Sequence, residues 1–441
     1  MAKFVLLCLL ASALLSACAS RGAVPMIDTS KVHPYVLQGG GLPSNWTRFA
    51  PNTYSPDYRG IVAGPDKNMW FLDATGPGLV KLTMTGNATE YPLPIDQVYE
   101  LNPEAIALAP SGRFYILTCV SSGVANSAVE VVNRLGRGPA YQLPAQDAFS
   151  ACTPEELGEG PDGNAWFVGG WHIDKVTPSG TITQFAYPNN VPNSNASVVA
   201  GPGGLLWFID SGNDSLDSID TNTGQIVLHS IGQNTFGGFG LAAPKDGNLW
   251  FACIGKMVGA PCGRLSIAKM TPAGQMSTYP VANEVVDIAA GTVGPDKAPY
   301  FLAGTFITQN NLLRVDVSNG QQTLIASHYN GSEGFFSLAG GPDGNVWITD
   351  PPGNIAVYIR NVLSVIPTTL NFASSGLTGT LIAKERGSPT LNATSSNVGV
   401  ATVVPDQQQN TFTVESKAVG SCVITIQDAI GNSFNVPVTV Q

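Results

Sequence analysis

The stretch Gly160-Pro161-Asp162-Gly163-Asn164-Ala165-Trp166-Phe167 decides the fold, because the chain keeps rewriting it. GPDKNMWF runs from Gly64 to Phe71 and GPGGLLWF from Gly201 to Phe208; PKDGNLWF ends at Phe251 and GPDGNVWI at Ile348. Two looser copies, APSGRFYI ending at Ile116 and GPDKAPYF ending at Phe301, carry Tyr in place of Trp. Pro presets its own φ, Asp and Asn bond to the local backbone, and Gly accepts positive φ. Each copy therefore reads as a tight turn that feeds an aromatic strand.

Working outward, the grammar extends to a whole sheet. A short apolar strand precedes each turn, as in Gly60-Ile61-Val62-Ala63. A third strand follows the aromatic one and ends in Thr-Pro-x-Gly, as in KVTPSG (Lys175 to Gly180) and KMTPAG (Lys269 to Gly274). A fourth ends near Pro, as in EYPLP and QFAYP. Four strands joined by hairpin turns make one antiparallel sheet. The aromatic anchors are Trp70, Tyr115, Trp166, Trp207, Trp250, Tyr300 and Trp347, at intervals of 41 to 51 residues. That period with four strands per unit is a propeller signature. A single such sheet cannot bury both faces, and stacking on its neighbours does so. The Trp is expected in the core between blades rather than as a ligand platform. The seventh copy shows three strands only. Trp46-Thr47-Arg48-Phe49-Ala50-Pro51 reads like an outer strand and is expected to close the ring, which removes an exposed edge.

The phrase GPDGN-x-WF with TP-x-G and a proline-ended strand resembles the streptogramin (virginiamycin B) lyase family of seven-bladed propellers, over residues 46–360. The expected fold class is all-β: a seven-bladed β-propeller followed by a small Ig-like β-sandwich. The sandwich, residues 367–441, is read from period-two runs such as GTLIAK, NTFTVES and FNVPVTV, about seven strands in all. NVGVATVV followed by VGSCVITIQDAIGNSFNVPVTV resembles a bacterial Ig-like domain, without an inter-sheet cysteine pair because Cys422 is the only Cys there.

Residues 1–17 read as a lipoprotein signal peptide. One cation, Lys3, precedes an apolar run from Phe4 to Ala17, which is too short to span a bilayer. It closes on Leu15-Ser16-Ala17-Cys18, which resembles a bacterial lipobox with Cys18 as the lipidation site. More than one acyl chain makes such an anchor stable. With Ala19 next, the resemblance implies an extracytoplasmic position in the cell envelope, at the outer membrane if the host has one. Residues 18–45 are a linker.

Composition excludes one partner class. The net charge is −10, and removing residues 1–17 makes it more negative. Phosphate binding needs clustered Lys and Arg, so nucleic acid is not an expected partner. Only 12% of residues are charged, while Gly and Pro number 49 and 32, a turn-rich all-β balance. A monomer is expected. Cys253 and Cys262 bracket a loop in blade five and can staple it. Cys119 and Cys152 fall at neighbouring points of blades two and three, where a second disulfide fits. No spacing suits a zinc site.

The resemblance implies a catalytic His just before an inner strand in a phrase like P-H-A-I, a Glu and His from another blade, a further Glu, and Mg²⁺. A base would remove an α-proton, and the lactone C–O bond would break by elimination. The matching positions here are Arg59, Glu104, Glu155, Ala196, Gly238, Val286 and Phe336, none of them His. The four histidines are His33, His172, His229 and His328. Candidate catalytic residues are thus Glu104 and Glu155, and a Glu acts as base near neutrality only if burial raises its pKa. Candidate ligand-binding residues are Arg59, Asp73, Glu104, Glu155, Glu156, Trp171, His172, Asp210 and Asp350 on one face. Two readings follow. One is a membrane-anchored binding or scaffold propeller whose ligand is a small molecule, glycan or peptide. The other is a lyase-like enzyme with Glu replacing His and Mg²⁺ as its metal.

Overall fold

The computed structural model describes residues 46–441 apart from 52–56, 77, 94–100, 121–127, 145–156, 189–196, 234, 256–259, 306–310, 327–336, 351–353, 359–362, 385–390, 407–409 and 429–432. The signal segment, the linker, Cys18, Cys152, Glu155 and Glu156 lie outside the described residues, as does the side chain of Cys119. All described residues belong to one compact unit, Pro34–Gln441. Among them there is no α-helix, and no helix is long and apolar enough to cross a membrane.

Seven four-stranded antiparallel sheets form the propeller. Their inner strands are Tyr58–Ala63, Leu101–Leu108, Leu157–Glu159, Val198–Ala200, Thr235–Ala242, Val285–Val293 and Ser337–Gly340. Each inner strand touches the next, and the seventh touches the first, so the ring is closed. The closing strand is Trp46–Phe49. It pairs antiparallel with Asn354–Tyr358, setting Trp46 opposite Tyr358 and Phe49 opposite Ile355.

The repeated phrase is explained by what each residue touches. The five anchor Trp rings are 1% exposed or less, so they are core, as expected. A buried indole N–H needs an acceptor. The turn Asp supplies it: Trp70 donates to Asp66 at 2.9 Å, Trp166 to Asp162 at 2.9 Å, Trp250 to Asp246 at 3.1 Å and Trp347 to Asp343 at 3.0 Å. Blade four has Gly where the others have Asp, and there Trp207 donates to the Pro202 carbonyl at 3.1 Å. The first Gly of the phrase is needed because the ring lies on it. A Cβ at Gly64, Gly160, Gly201 or Gly341 would overlap the indole.

The Thr-Pro-x-Gly turn has a second partner, in the preceding blade. Gly180 has φ +86°, and a Cβ there would overlap the ring of Tyr141 on the outer strand of blade two. Gly86 meets Phe49, Gly224 meets Phe185 and Gly320 meets Tyr279 in the same way. These outer aromatics stack in turn on their own blade's anchor, with Phe49 5.6 Å from Trp347, Phe185 5.4 Å from Trp166 and Tyr279 5.6 Å from Trp250. Blades seven, three and five are thus each fastened to the next by glycine on aromatic on tryptophan. In blade four His229 takes the aromatic place, 4.8 Å from Trp207 and beneath Gly274. Burial pushes its imidazole pKa down. This histidine is a packing residue.

Residues beyond Leu363 form two further four-stranded sheets. One joins Ser364–Ile366, Thr378–Lys384, Thr411–Ser416 and Ala401–Pro405; the other joins Leu370–Phe372, Ser433–Val440, Gly420–Asp428 and Leu391–Ser395. They share a core that includes Leu381, Val414, Ile424 and Val436. The eighth strand beyond the expected seven is short Leu370–Phe372, which pairs parallel with Ser433–Val440. Cys422 is a buried free thiol.

Candidate functional site

In an antiparallel pair the start of the inner strand lies opposite the end of the second, as Tyr58 lies opposite Asp73. All inner-strand starts therefore share one face of the ring with all second-strand ends. Arg59, Glu104, Asp73, Asp210 and Asp350 come to this face, around the mouth of the channel.

Two bulges aim the charged pair. Register slips between Arg59 and Ile61 and between Pro103 and Ala105 leave Gly60 and Glu104 as extra residues. A bulge re-aims its side chain away from the strict alternation of a strand. Gly60 has φ +47° and packs against the backbone of Glu104 and Ile106. Glu104 therefore sits inside the inner strand of blade two, at the bulge, not before the strand as the family phrase implies. Its Oε2 accepts from Nη1 of Arg59. Arg59 also donates through Nε and Nη2 to Oδ2 of Asp57, at 3.0 and 2.7 Å. Glu104 is 6% exposed. Burial raises its pKa, and the Arg59 hydrogen bond and charge work against that rise.

The second-strand aspartates are engaged by the protein. Asp73 Oδ1 accepts the N–H groups of Thr75 and Gly76 at 2.9 and 3.2 Å. Asp210 Oδ1 accepts from Gly212 and Asn213, both at 3.0 Å, and its Oδ2 from the Asn213 side chain at 2.8 Å. Asp350 pairs with Arg48 from the ring-closing strand. Burial pushes Asp350 up to about 6 despite that partner. Glu90 lies on the third-to-fourth-strand pair of blade one and is pushed to about 7, first by burial and then by the charge of Asp73. Asp57, Arg48 and Glu90 are the members of this network that sequence reading missed. The partner of Arg48 lies in another strand and the neighbour of Glu90 likewise, whereas Asp57 meets Arg59 two residues on.

Trp171 is 43% exposed at the turn between the second and third strands of blade three. His172 opens the third strand opposite Ala186, and its carbonyl accepts the Tyr187 hydroxyl at 2.7 Å. An exposed indole beside polar backbone offers a stacking surface for a ring or a sugar face. Glu155 and Glu156 lie outside the described residues, so the structure does not place them beside Glu104.

Below the mouth the channel narrows to a cavity of about 140 Å³, lined by every inner strand, among them Ile61, Ile106, Leu157, Val198, Leu241 and Leu338. Among the described residues that line it there is no carboxylate. A wider groove of about 650 Å³ lies on the rim between blades five and six, over Tyr279, Val281, Glu284, Gln321 and Leu324. Gln322 bridges it, donating to the Tyr279 carbonyl at 2.9 Å. Cys253 and Cys262 are joined, Cα atoms 5.6 Å apart, and staple the blade-five loop on the mouth side as expected.

Among the described residues no group of three or more His, Cys, Asp or Glu is placed to hold a metal ion. The one buried inner-strand carboxylate, Glu104, faces a guanidinium, which repels a cation. The described mouth does not fit a Mg²⁺ site.

Residues 42–260 match the model of the virginiamycin B lyase family. A catalytically inactive histidine-to-alanine variant of virginiamycin B lyase from Staphylococcus aureus, solved with quinupristin, superposes with a TM-score of 0.56 at 19% identity. That match covers 71% of this chain and 98% of that one. A streptogramin B lyase structure gives 0.54 at 20% identity, over 74% and 96%. The WD40 propeller domain of Doa1 gives 0.52 at 10% identity, over 74% and 97%. Comparison with curated proteins returns no match. At these identities the structural likeness shows the fold, and that fold is the propeller of the lyase family.

Proposed function

We propose that this chain, which carries the propeller fold of the virginiamycin B lyase family, is a non-catalytic ligand-binding lipoprotein of the cell envelope. One observation carries the reading. At the matching inner-strand positions of blades one and two stand Arg59 and Glu104, bonded to each other rather than poised for a substrate. A general base needs a free lone pair within reach of the proton it takes. Neither described histidine fills the role, since His229 is packed between blades and His172 opens a third strand. The solved relative that is catalytically inactive carries a histidine-to-alanine change.

In this reading the mouth binds a small molecule, glycan or peptide, with Trp171 as the stacking surface and the Arg59–Glu104–Asp57 network as the polar wall. Lipid on Cys18 holds the monomer extracytoplasmically, at the outer membrane if the host has one. The C-terminal sandwich, read as Ig-like, spaces or anchors it. A second reading rests on the buried state of Glu104, whose raised pKa suits a base. There Glu104, with Glu155, replaces the family's histidine in a metal-assisted C–O elimination.

Two measurements test these proposals. Incubating the soluble chain starting at Ala19 with a streptogramin B lactone and Mg²⁺ is expected to leave the lactone intact by mass spectrometry. Ring opening that vanishes in Glu104→Gln would establish the second reading and remove the first. Separately, Cys18→Ala is expected to abolish incorporation of a clickable palmitate and to leave an unprocessed precursor. Undiminished labelling would end the anchor proposal without touching the propeller.

A further inference from the structure

Buried carboxylates recur at one strand position, and only along one side of the ring. On the third strand, the residue opposite the second-strand Phe or Ile is Glu130 in blade two, Asp174 in blade three and Asp217 in blade four. Blades one, five, six and seven have Val80, Ala268, Leu313 and Ala356 there. Glu130 is 1% exposed, and Asp174 and Asp217 are 0% exposed.

Strand alternation says where these side chains go. Glu130 shares its sheet face with Phe114 and Ile116, which pack against Trp70, Leu72 and Leu79 of blade one. Asp217 shares its face with Leu206 and Phe208, which pack with Trp166, Val168 and Ile173 of blade three. Asp174 shares its face with Ala165 and Phe167, which pack with Tyr115, Leu117 and Val129 of blade two. Three consecutive seams between blades therefore each contain a carboxyl group.

Glu130 Oε2 is buried without a hydrogen bond, and buried Asp217 has the side chains of Ser215 and Asp210 and the backbone of His229 as its polar neighbours. Among the described residues neither forms an ion pair with a cation. The charged group on the facing sheet of blade one is Lys81, opposite Trp70; burial is the one cause that raises Glu130. The facing titratable group is Tyr91, opposite Leu79. On the facing sheet of blade three it is Lys175, whose Nζ lies 3.7 Å from Asp162 and donates to the Thr221 carbonyl at 3.2 Å. Asp174 faces Tyr115, whose hydroxyl burial pushes up to about 12, and Tyr141. In its own blade Asp217 has Asp210 beside it, which accepts three hydrogen bonds. An isolated buried ion is costly, so the neutral acid fits these seams and the carboxylate does not.

We propose that the arc from blade one to blade four is a proton-responsive part of the propeller, its seams tight when Glu130 and Asp217 are protonated and loosened when they ionise. The groups at the mouth, Arg59, Glu104 and Trp171, stand on blades one to three, so the loosening changes the shape of the mouth while blades five to seven hold. Burial pushes Glu130 to about 7. Burial and then the charge of Asp210 push Asp217 to about 8. Both values exceed those of the unfolded chain, near 4. The stability these groups contribute is therefore complete only below about 4, falls progressively as pH rises from there, and is gone once pH has passed 7 and 8.

The test is a set of melting curves between pH 5.5 and 8.5, with hydrogen exchange read blade by blade. The wild-type chain is expected to lose on the order of 5 °C or more across that range. Peptides from the third strands of blades two and four should exchange faster at pH 8.5, after correction for intrinsic rates, than those of blades five to seven. Glu130→Gln with Asp217→Asn keeps shape and removes the charge, so it should flatten the slope and melt higher than wild type at pH 8.5. A slope that persists in this double variant, or exchange that rises evenly around the ring, overturns the proposal. If the double variant does not fold, the wild-type exchange pattern decides alone.

Discussion

Deleting residues 1–52 is expected to lower the melting temperature by more than 10 °C relative to deleting residues 1–35. The longer deletion removes the strand Trp46–Phe49, the outer strand of blade seven. Four contacts go with it. Phe49 leaves the face of Trp347 and the glycine turn at Gly86, so two blades lose their fastening at once. Trp46 leaves Tyr358, 5.5 Å away. Arg48 leaves Asp350, which is 0% exposed and pairs with no other cation among the described residues. Stripping one partner from a buried ion pair costs about 3–5 kcal/mol. At the ~2–4 °C per kcal/mol typical of domains of 150–250 residues, that single loss approaches the predicted shift. The strand Asn354–Tyr358 also becomes an open edge, which invites association. Calorimetry on both truncations reads the effect. Arg48→Met isolates the ion pair: its penalty should be smallest in acid, where Asp350 is protonated, and grow as pH rises past 6. Equal melting temperatures for the two truncations would mean that the strand contributes nothing to closure.

Gly180→Ala should destabilise the chain by about 2–5 kcal/mol, which combines a left-handed backbone with overpacking against Tyr141. Gly344 provides the comparison. It also has positive φ, +83°, but a Cβ there would meet nothing within 4 Å. Gly344→Ala should therefore show only the backbone part, about 1–2 kcal/mol. In a Tyr141→Ala background the two glycine substitutions should become equal, because the ring that Gly180 accommodates is gone. Denaturant midpoints on the four variants decide the matter. If Gly180→Ala and Gly344→Ala were already equal in the wild-type background, the seam between blades would not depend on the glycine.

The turn phrase, the anchor spacing and the orphan third strand of blade seven made the ring legible before any coordinates. These are local signals: a turn is written in four residues and a strand in five. The same holds for the Cys253–Cys262 staple, whose cysteines are nine apart around one loop. Sequence also placed Arg59, Glu104 and the second-strand aspartates on a common face, since antiparallel order alone does that. It did not show that Arg59 would donate to both Glu104 and Asp57, because two bulges decide where those side chains point. Nor did it show that Asp350 waits for an arginine 302 residues away.

What the sequence determined by itself is the unit: four strands, a turn that needs glycine under an indole, and seven repetitions. What only the tertiary structure decided is the chemistry between units. Glu130, Asp174 and Asp217 are unremarkable acids in their own strands, and become buried carboxyls because the next sheet's apolar face covers them. The physical reason is the same in each case. Hydrogen-bonded turns and strand alternation are set by residues close in the chain, whereas desolvation and ion pairing depend on which distant surface closes over the group.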